Sequence, residues 1–180
     1  EKLLDELPRF DPRTVGNGVH RVLQRIGENE GVPSSTSIQN LGSGKKINWP
    51  DSDRLDAILK ETVTELLAEE GIYLPGFDRA FMEWIRAHVL NVRRLDSENL
   101  KWVGVEIDAE CQVPTLAGGI LQFRVDRVEE LEGQTILTDF KTGIKKAKGL
   151  QAKAYARAVN PIEGKGRYLY TNPRMENQSG

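Results

Sequence analysis

Sulfur ligands are nearly absent, since Cys111 is the only cysteine in 180 residues. A single cysteine excludes an internal disulfide and any four-cysteine zinc or iron–sulfur site built from this chain alone. Its place in a strand-like stretch reads as a plain buried thiol. Long apolar runs are missing too, and none approaches the roughly 20 residues needed to span a bilayer. Glu1-Lys2-Leu3-Leu4-Asp5 has neither the basic start nor the apolar stretch of a signal peptide. The lone cysteine favours an intracellular, cytoplasmic location, and the ragged ends suit a module cut from a longer chain. Basic charge is not in excess either: the net charge is −2 and the pI near 5.8. That average does not advertise a nucleic-acid binder, yet phosphate binding needs only a local basic surface, and acidic metal ligands lower the total. The 38% hydrophobic and 29% charged composition is that of one soluble domain able to bury a single core.

What is present is an ordered change of period. Residues 1–95 are mainly helical in pattern, and no internal repeat interrupts them. A short helix is expected over 15–27, where Val19, Val22, Leu23 and Ile26 form one apolar stripe. Residues 28–50 are rich in Gly, Pro, Ser and Asn and read as a long loop, functional or mobile. Asp51 starts a second helix that stops at Gly71, with Leu55, Ile58, Leu59, Val63, Leu66 and Leu67 inward. A third covers 77–95 and contains Phe81, Trp84, Ile85, Val89 and Leu90. The period then falls to 2. Strands are expected over 101–109, 120–128 and 135–141, as a meander with a tight turn at Leu131-Glu-Gly-Gln134. A helix over 150–159 and a last strand over 166–171 complete residues 100–172. The fold class expected is α/β, with a central sheet and helices on its faces, in a single domain over 1–180.

One constellation carries chemistry. Asp126 lies in an apolar strand between Val125 and Val128, where a carboxylate is costly unless a partner or cation compensates it. Asp139 and Lys141, on the next strand, are two apart and share a face, and the hairpin should bring Asp139 close to Asp126. Two carboxylates and an ammonium on one face form a hard-oxygen cation site with a positive neighbour. Phe140 between them points to the core and leaves its carbonyl as a further oxygen ligand. Such a site suits phosphodiester hydrolysis, with Lys141 orienting water or stabilising developing charge. Standing alone, the triplet is better accounted for by an ordinary Asp–Lys ion pair on a surface hairpin. Glu106 stands one strand earlier and shares a face with Asp108, with Val105 and Ile107 opposite; it is either a further carboxylate for the site or part of a solvated strand face. Arg124 and Arg127 are expected on opposite faces, with Arg124 beside Asp126 as a phosphate contact or a carboxylate partner.

Four stretches occur in a telling order: Gly16-Asn-Gly-Val-His20, Phe123-Arg-Val-Asp126, Asp139-Phe-Lys-Thr-Gly143 and Gln151-Ala-Lys-Ala-Tyr155. Together they resemble the RecB-type branch of the PD-(D/E)xK nuclease superfamily, over about residues 15–160. The resemblance implies a restriction-endonuclease-like central mixed β-sheet flanked by helices. It implies His20 as a metal ligand beside Asp126, Asp139 and the Phe140 carbonyl, with Mg²⁺ or Mn²⁺ as cofactor. Asp126, Asp139, Lys141, Gln151 and Tyr155 would be catalytic, the last two placed four apart on one helical face. Several RecB-type relatives hold an iron–sulfur cluster with four cysteines; with Cys111 alone, none is expected here. The nine residues between Lys141 and Gln151 are short for the family and carry Lys145, Lys146 and Lys148, a basic patch suited to a DNA backbone.

The function these features imply is a divalent-metal-dependent deoxyribonuclease, by resemblance an exonuclease on DNA ends or single strands in repair or recombination. A helicase or other repair protein is the implied partner. The alternative is a non-catalytic nucleic-acid or partner-binding module that keeps the nuclease fold, and RNA is the alternative substrate.

Overall fold

The computed structural model describes residues 12–113, 119–143 and 164–173. Its first half is three helices: α1 (Pro12–Asn29), α2 (Ser52–Glu69) and α3 (Phe77–Leu95). Pro12 opens α1 at the position where its missing N–H costs nothing, so the helix runs longer than its apolar stripe alone indicates. Asp51 caps α2 by accepting from the Arg54 amide at 2.9 Å, and Gly71, at φ 68°, lets the chain turn away after it. All six inward residues expected on α2 are buried. On α3 the buried face is Phe81, Ile85, His88, Val89, Asn91 and Val92, while Trp84 and Leu90 turn outward. Gly18 lets α1 and α3 approach closely: a Cβ there would fall 2.4 Å from Ile85.

The second half is a sheet of β1 (Lys101–Val113), β2 (Gly119–Leu131), β3 (Gln134–Lys141) and β4 (Gly164–Tyr170), in that spatial order. The first two pairings are antiparallel and β3–β4 is parallel, so the sheet is mixed. The α/β class expected from the period change is the one observed. The helix expected over 150–159 lies outside the described residues, as does the side chain of Cys111.

The expected loop over 28–50 does more than connect. Ser34, Ser37 and Lys45 make bridges to Val105, Asp108 and Trp102, including paired 2.8 Å bonds between Lys45 and Trp102. These bonds cover much of the β1 edge that would otherwise expose unpaired backbone groups. The same segment places Ile38 and Leu41 against one sheet face, over Val103, Ile107, Ala109, Val125, Val128 and Leu137. The three helices cover the other face, packing on Trp102, Val105, Phe140 and Leu169.

Strict alternation fails at the level of the candidate site, just past a register shift between Trp102 and Gly104. Glu106 adopts φ 51°, a left-handed conformation uncommon for a residue with a side chain. Val105 and Glu106 consequently both turn to the helical face. This corrects the expectation that Val105 faces with Ile107. Directly opposite on β2, Asp126 and Arg127 also both turn to the helical face, between Val125 and Val128 on the far side. Arg127 therefore shares a face with Arg124 and Asp126, contrary to the simple alternation of a regular strand.

Candidate active site

Regular pairing of β2 with β3 ends at Arg127↔Thr138. Beyond that pair the Asp126 side chain takes the place of a neighbouring backbone: its Oδ2 accepts from the Phe140 amide at 2.6 Å. Phe140 itself is buried in the helical core, as expected from its place between Asp139 and Lys141. Asp139 is 4% exposed and ion-paired with Lys141, whose ammonium also lies 5.5 Å from the Tyr168 ring. Tyr168 is the register partner of Asp139 on β4 and had no signal in the sequence.

From the helical side, α1 brings His20 to the same place. Its Nδ1 lies 3.5 Å from Asp126 Oδ1 and 3.8 Å from Glu106 Oε1, and its ring meets the edge of Phe140 at 5.9 Å between centroids. His20, Glu106 and Asp126 can each offer one ligand atom, and those atoms lie within 4.8 Å of one another. The structure thus joins Glu106 to His20 and Asp126 as the closest potential ligand set among the described residues. Asp139 stands outside that set and acts on it through its charge.

The electrostatics follow from crowding acids in a dry place. Burial, then the charge of Asp139, pushes the Asp126 carboxyl up to about 7, against the Phe140 hydrogen bond and Lys141. Burial and then Asp126 likewise raise Glu106, with His20 and Arg124 opposing. Burial holds the His20 imidazole below its ordinary value, despite Glu106, Asp139 and the Phe140 backbone. A divalent cation would reverse the burden on both acids and is best bound by a neutral imidazole. Carboxylate oxygens with one imidazole nitrogen fit Mg²⁺ or Mn²⁺, so the residues present suit the group.

Of the remaining expected residues, Arg124 pairs with Asp108 at 2.8 Å at the exposed end of the same face. Gln151, Tyr155, Lys145, Lys146 and Lys148 lie outside the described residues.

An acidic cluster with an adjacent lysine, at the point where strands of a mixed sheet part, is an arrangement suited to metal-assisted phosphodiester hydrolysis. The family model of the PD-(D/E)XK nuclease superfamily matches residues 1–179, and the chain belongs to that superfamily. Its members are nucleases that use divalent metal ions, and the mixed sheet flanked by helices is their restriction-endonuclease-like fold. No curated protein matches the sequence. Among solved structures, the protein VC1899 from Vibrio cholerae is similar over 90% of this chain, with 12% identity and a TM-score of 0.33. The match takes in 43% of that protein, so this chain spans less than half of its length. No helix among the described residues is long and apolar enough to cross a membrane.

Proposed function

We propose that this chain is a divalent-metal-dependent deoxyribonuclease of the RecB-type branch, acting as an exonuclease on DNA ends or single strands in repair or recombination. The observation that carries the reading is the convergence of His20, Glu106 and Asp126 beside the Asp139–Lys141 pair. His20, Asp126, Asp139 and the Phe140 carbonyl would hold the cation, with Glu106 joining them. When bound, Mg²⁺ or Mn²⁺ polarises a phosphodiester and lowers the pKa of water. Lys141 donates to the attacking water or to the charge growing on the phosphate oxygens. The Asp139 carboxylate holds that ammonium in place. Arg124, with Lys145, Lys146 and Lys148, would track the DNA backbone, and Gln151 with Tyr155 would reach the site or the same backbone. A helicase or another repair protein would supply the substrate strand.

The test is cleavage of labelled linear duplex and single-stranded DNA by the purified chain. Degradation should require Mg²⁺ or Mn²⁺, and Asp139→Ala or Lys141→Ala should abolish it. Undiminished cleavage by both variants would sink the proposal. Absence of Mn²⁺ binding in calorimetry would instead identify a non-catalytic module, and an RNA substrate measured alongside decides between DNA and RNA.

A further inference from the structure

The inner face of α3 carries two polar residues where apolar ones would pack at no cost. His88 is 2% exposed and Asn91 is 5% exposed, among Phe81, Ile85, Val89 and Val92. Burying such groups is unfavourable unless their bonds are made inside. Both make them to one short segment, the two residues where β4 ends. His88 Nδ1 lies 2.8 Å from the Thr171 hydroxyl oxygen. Asn91 Nδ2 donates to the Thr171 carbonyl at 3.1 Å and reaches the Tyr170 carbonyl at 3.5 Å. Arg94 in turn donates twice to Asn91 Oδ1, at 2.9 and 3.1 Å, which fixes the amide's orientation.

Thr171 is the residue that continues the parallel pairing past its last register pair, Lys141↔Tyr170. Its amide donates to the Lys141 carbonyl at 3.0 Å, and its hydroxyl lies 3.5 Å from the same oxygen. The proton count then orders the chain. A hydroxyl turned toward the Lys141 carbonyl has only its lone pairs left for His88, so the imidazole donates from Nδ1. Burial holds His88 below the ordinary histidine value, which favours the neutral ring with a single N–H. The next residue repeats the pattern, Asn172 Nδ2 meeting the Thr142 carbonyl at 3.4 Å.

We infer that His88 and Thr171 are positioning residues: α3 holds the end of β4 through them, and Thr171 in turn fixes the backbone of Lys141 against the acidic cluster. The inference rests on the proposed role of Lys141. A scaffold of this kind matters because a misplacement of about 1 Å, even from a distant change, can cost on the order of a hundredfold in rate. In the bonds described above, His88 and Thr171 touch none of the side chains proposed to hold the cation, and they reach the Phe140 carbonyl only through the Lys141 backbone, so cation affinity should fall less than the rate.

The experiment uses the whole chain, linear DNA and Mn²⁺. Thr171→Val and His88→Leu should each lower kcat by roughly ten- to a hundredfold, with KM unchanged and calorimetric Mn²⁺ affinity lowered much less than the rate. Thr171→Ser, which keeps the hydroxyl, and His88→Asn, which keeps a donor near Nδ1, should recover most of the rate. Full activity in Thr171→Val and His88→Leu overturns the inference. So does loss of Mn²⁺ affinity in parallel with rate, which would mark general disruption of the sheet, or failure of Thr171→Ser to outperform Thr171→Val. Should Thr171→Val not fold, His88→Leu against His88→Asn asks the same question from α3. Lys141→Ala separates the two readings. Full activity there overturns the role proposed for Lys141, on which the inference rests, whereas loss there with full activity in the α3 and β4 variants overturns the positioning role alone.

Discussion

Asp126 and Arg127 are consecutive on β2, turn to the same face and are both charged groups in a dry place, yet their surroundings differ in kind. Arg127 is 0% exposed and donates to both oxygens of Asp96, at 2.7 and 3.0 Å, and to Glu129. Its guanidinium lies 4.4 Å from the Trp102 ring and 5.1 Å from that of Phe140. Glu129, equally buried, takes a second partner in Arg167 at 2.5 Å, and Arg167 also donates to Thr138. Two guanidinium groups thus face two carboxylates in a closed network. One residue away, Asp126, Glu106 and Asp139 crowd together with a neutral-leaning His20 and the Lys141 ammonium. A buried charge points to a ligand when the surrounding protein leaves acid in excess, and to architecture when it supplies the counter-charge.

The widest separation between the two neighbours should appear on removing each. Arg127→Met leaves Asp96 and Glu129 without their central cation in the core and should cost about 3–5 kcal/mol of stability. Thermal or urea unfolding reads this directly, and a cost under about 1 kcal/mol would mean that the network is dispensable. Asp126→Asn should do the reverse. The amide still accepts from the Phe140 N–H, but the desolvated carboxylate is gone, so in chelator the variant should be more stable by about 1–3 kcal/mol at pH 8 while cleavage is abolished. The sign follows from linkage. With its pKa raised from 3.8 to about 7, folded Asp126 keeps a proton that the unfolded chain has lost. Wild-type stability therefore falls as pH rises between those values and levels off above them. The advantage of Asp126→Asn should be full above pH 7 and vanish toward pH 4. A variant less stable than wild type at pH 8 would place Asp126 with Arg127 among structural charges.

How much of this was legible in the sequence depended on whether the signal was periodic or long-range. The α2 stripe and the turn before β3 follow from local spacing, and so does the burial of Phe140 between two polar neighbours. His20, Asp126, Asp139 and Lys141 were legible through order and residue type. The faces of Val105 and Arg127 were not, because alternation breaks on both strands at the level where Glu106 is left-handed, and nothing in Val-Gly-Val-Glu-Ile marks it. Glu106 stays open for the same reason: in sequence its neighbours give it the same appearance as Asp108, which the structure pairs with Arg124 at the surface. The loop over 28–50 reads as irregular by composition, while its bonds to β1 depend on partners some 57 to 71 residues away. His88 and Asn91 did carry a signal, as polar residues inside an apolar helical stripe, but their partner Thr171 is 83 residues from His88.

The smallest expected effect on stability concerns an exposed charge pair on this face. Arg124 and Asp108 are joined at 2.8 Å but both remain more than half exposed, 54% and 56% for their side chains. Water already screens such a pair, so Arg124→Ala should change stability by less than about 1 kcal/mol. Its position beside Glu106 gives it a different use: unlike the Arg127 network, this pair can exchange its carboxylate for a phosphate without uncovering a buried charge. Arg124→Ala should therefore weaken DNA binding uniformly across sequences, and the slope of log affinity against log salt should fall by about 1. Fluorescence anisotropy with a labelled oligonucleotide in Ca²⁺, over a range of salt, measures both quantities. An unchanged slope would return Arg124 to the role of a surface ion pair. A loss of several kcal/mol in folding would show that the pair belongs with Arg127, in which case exposure would be a poor guide to which charges on β2 hold the fold.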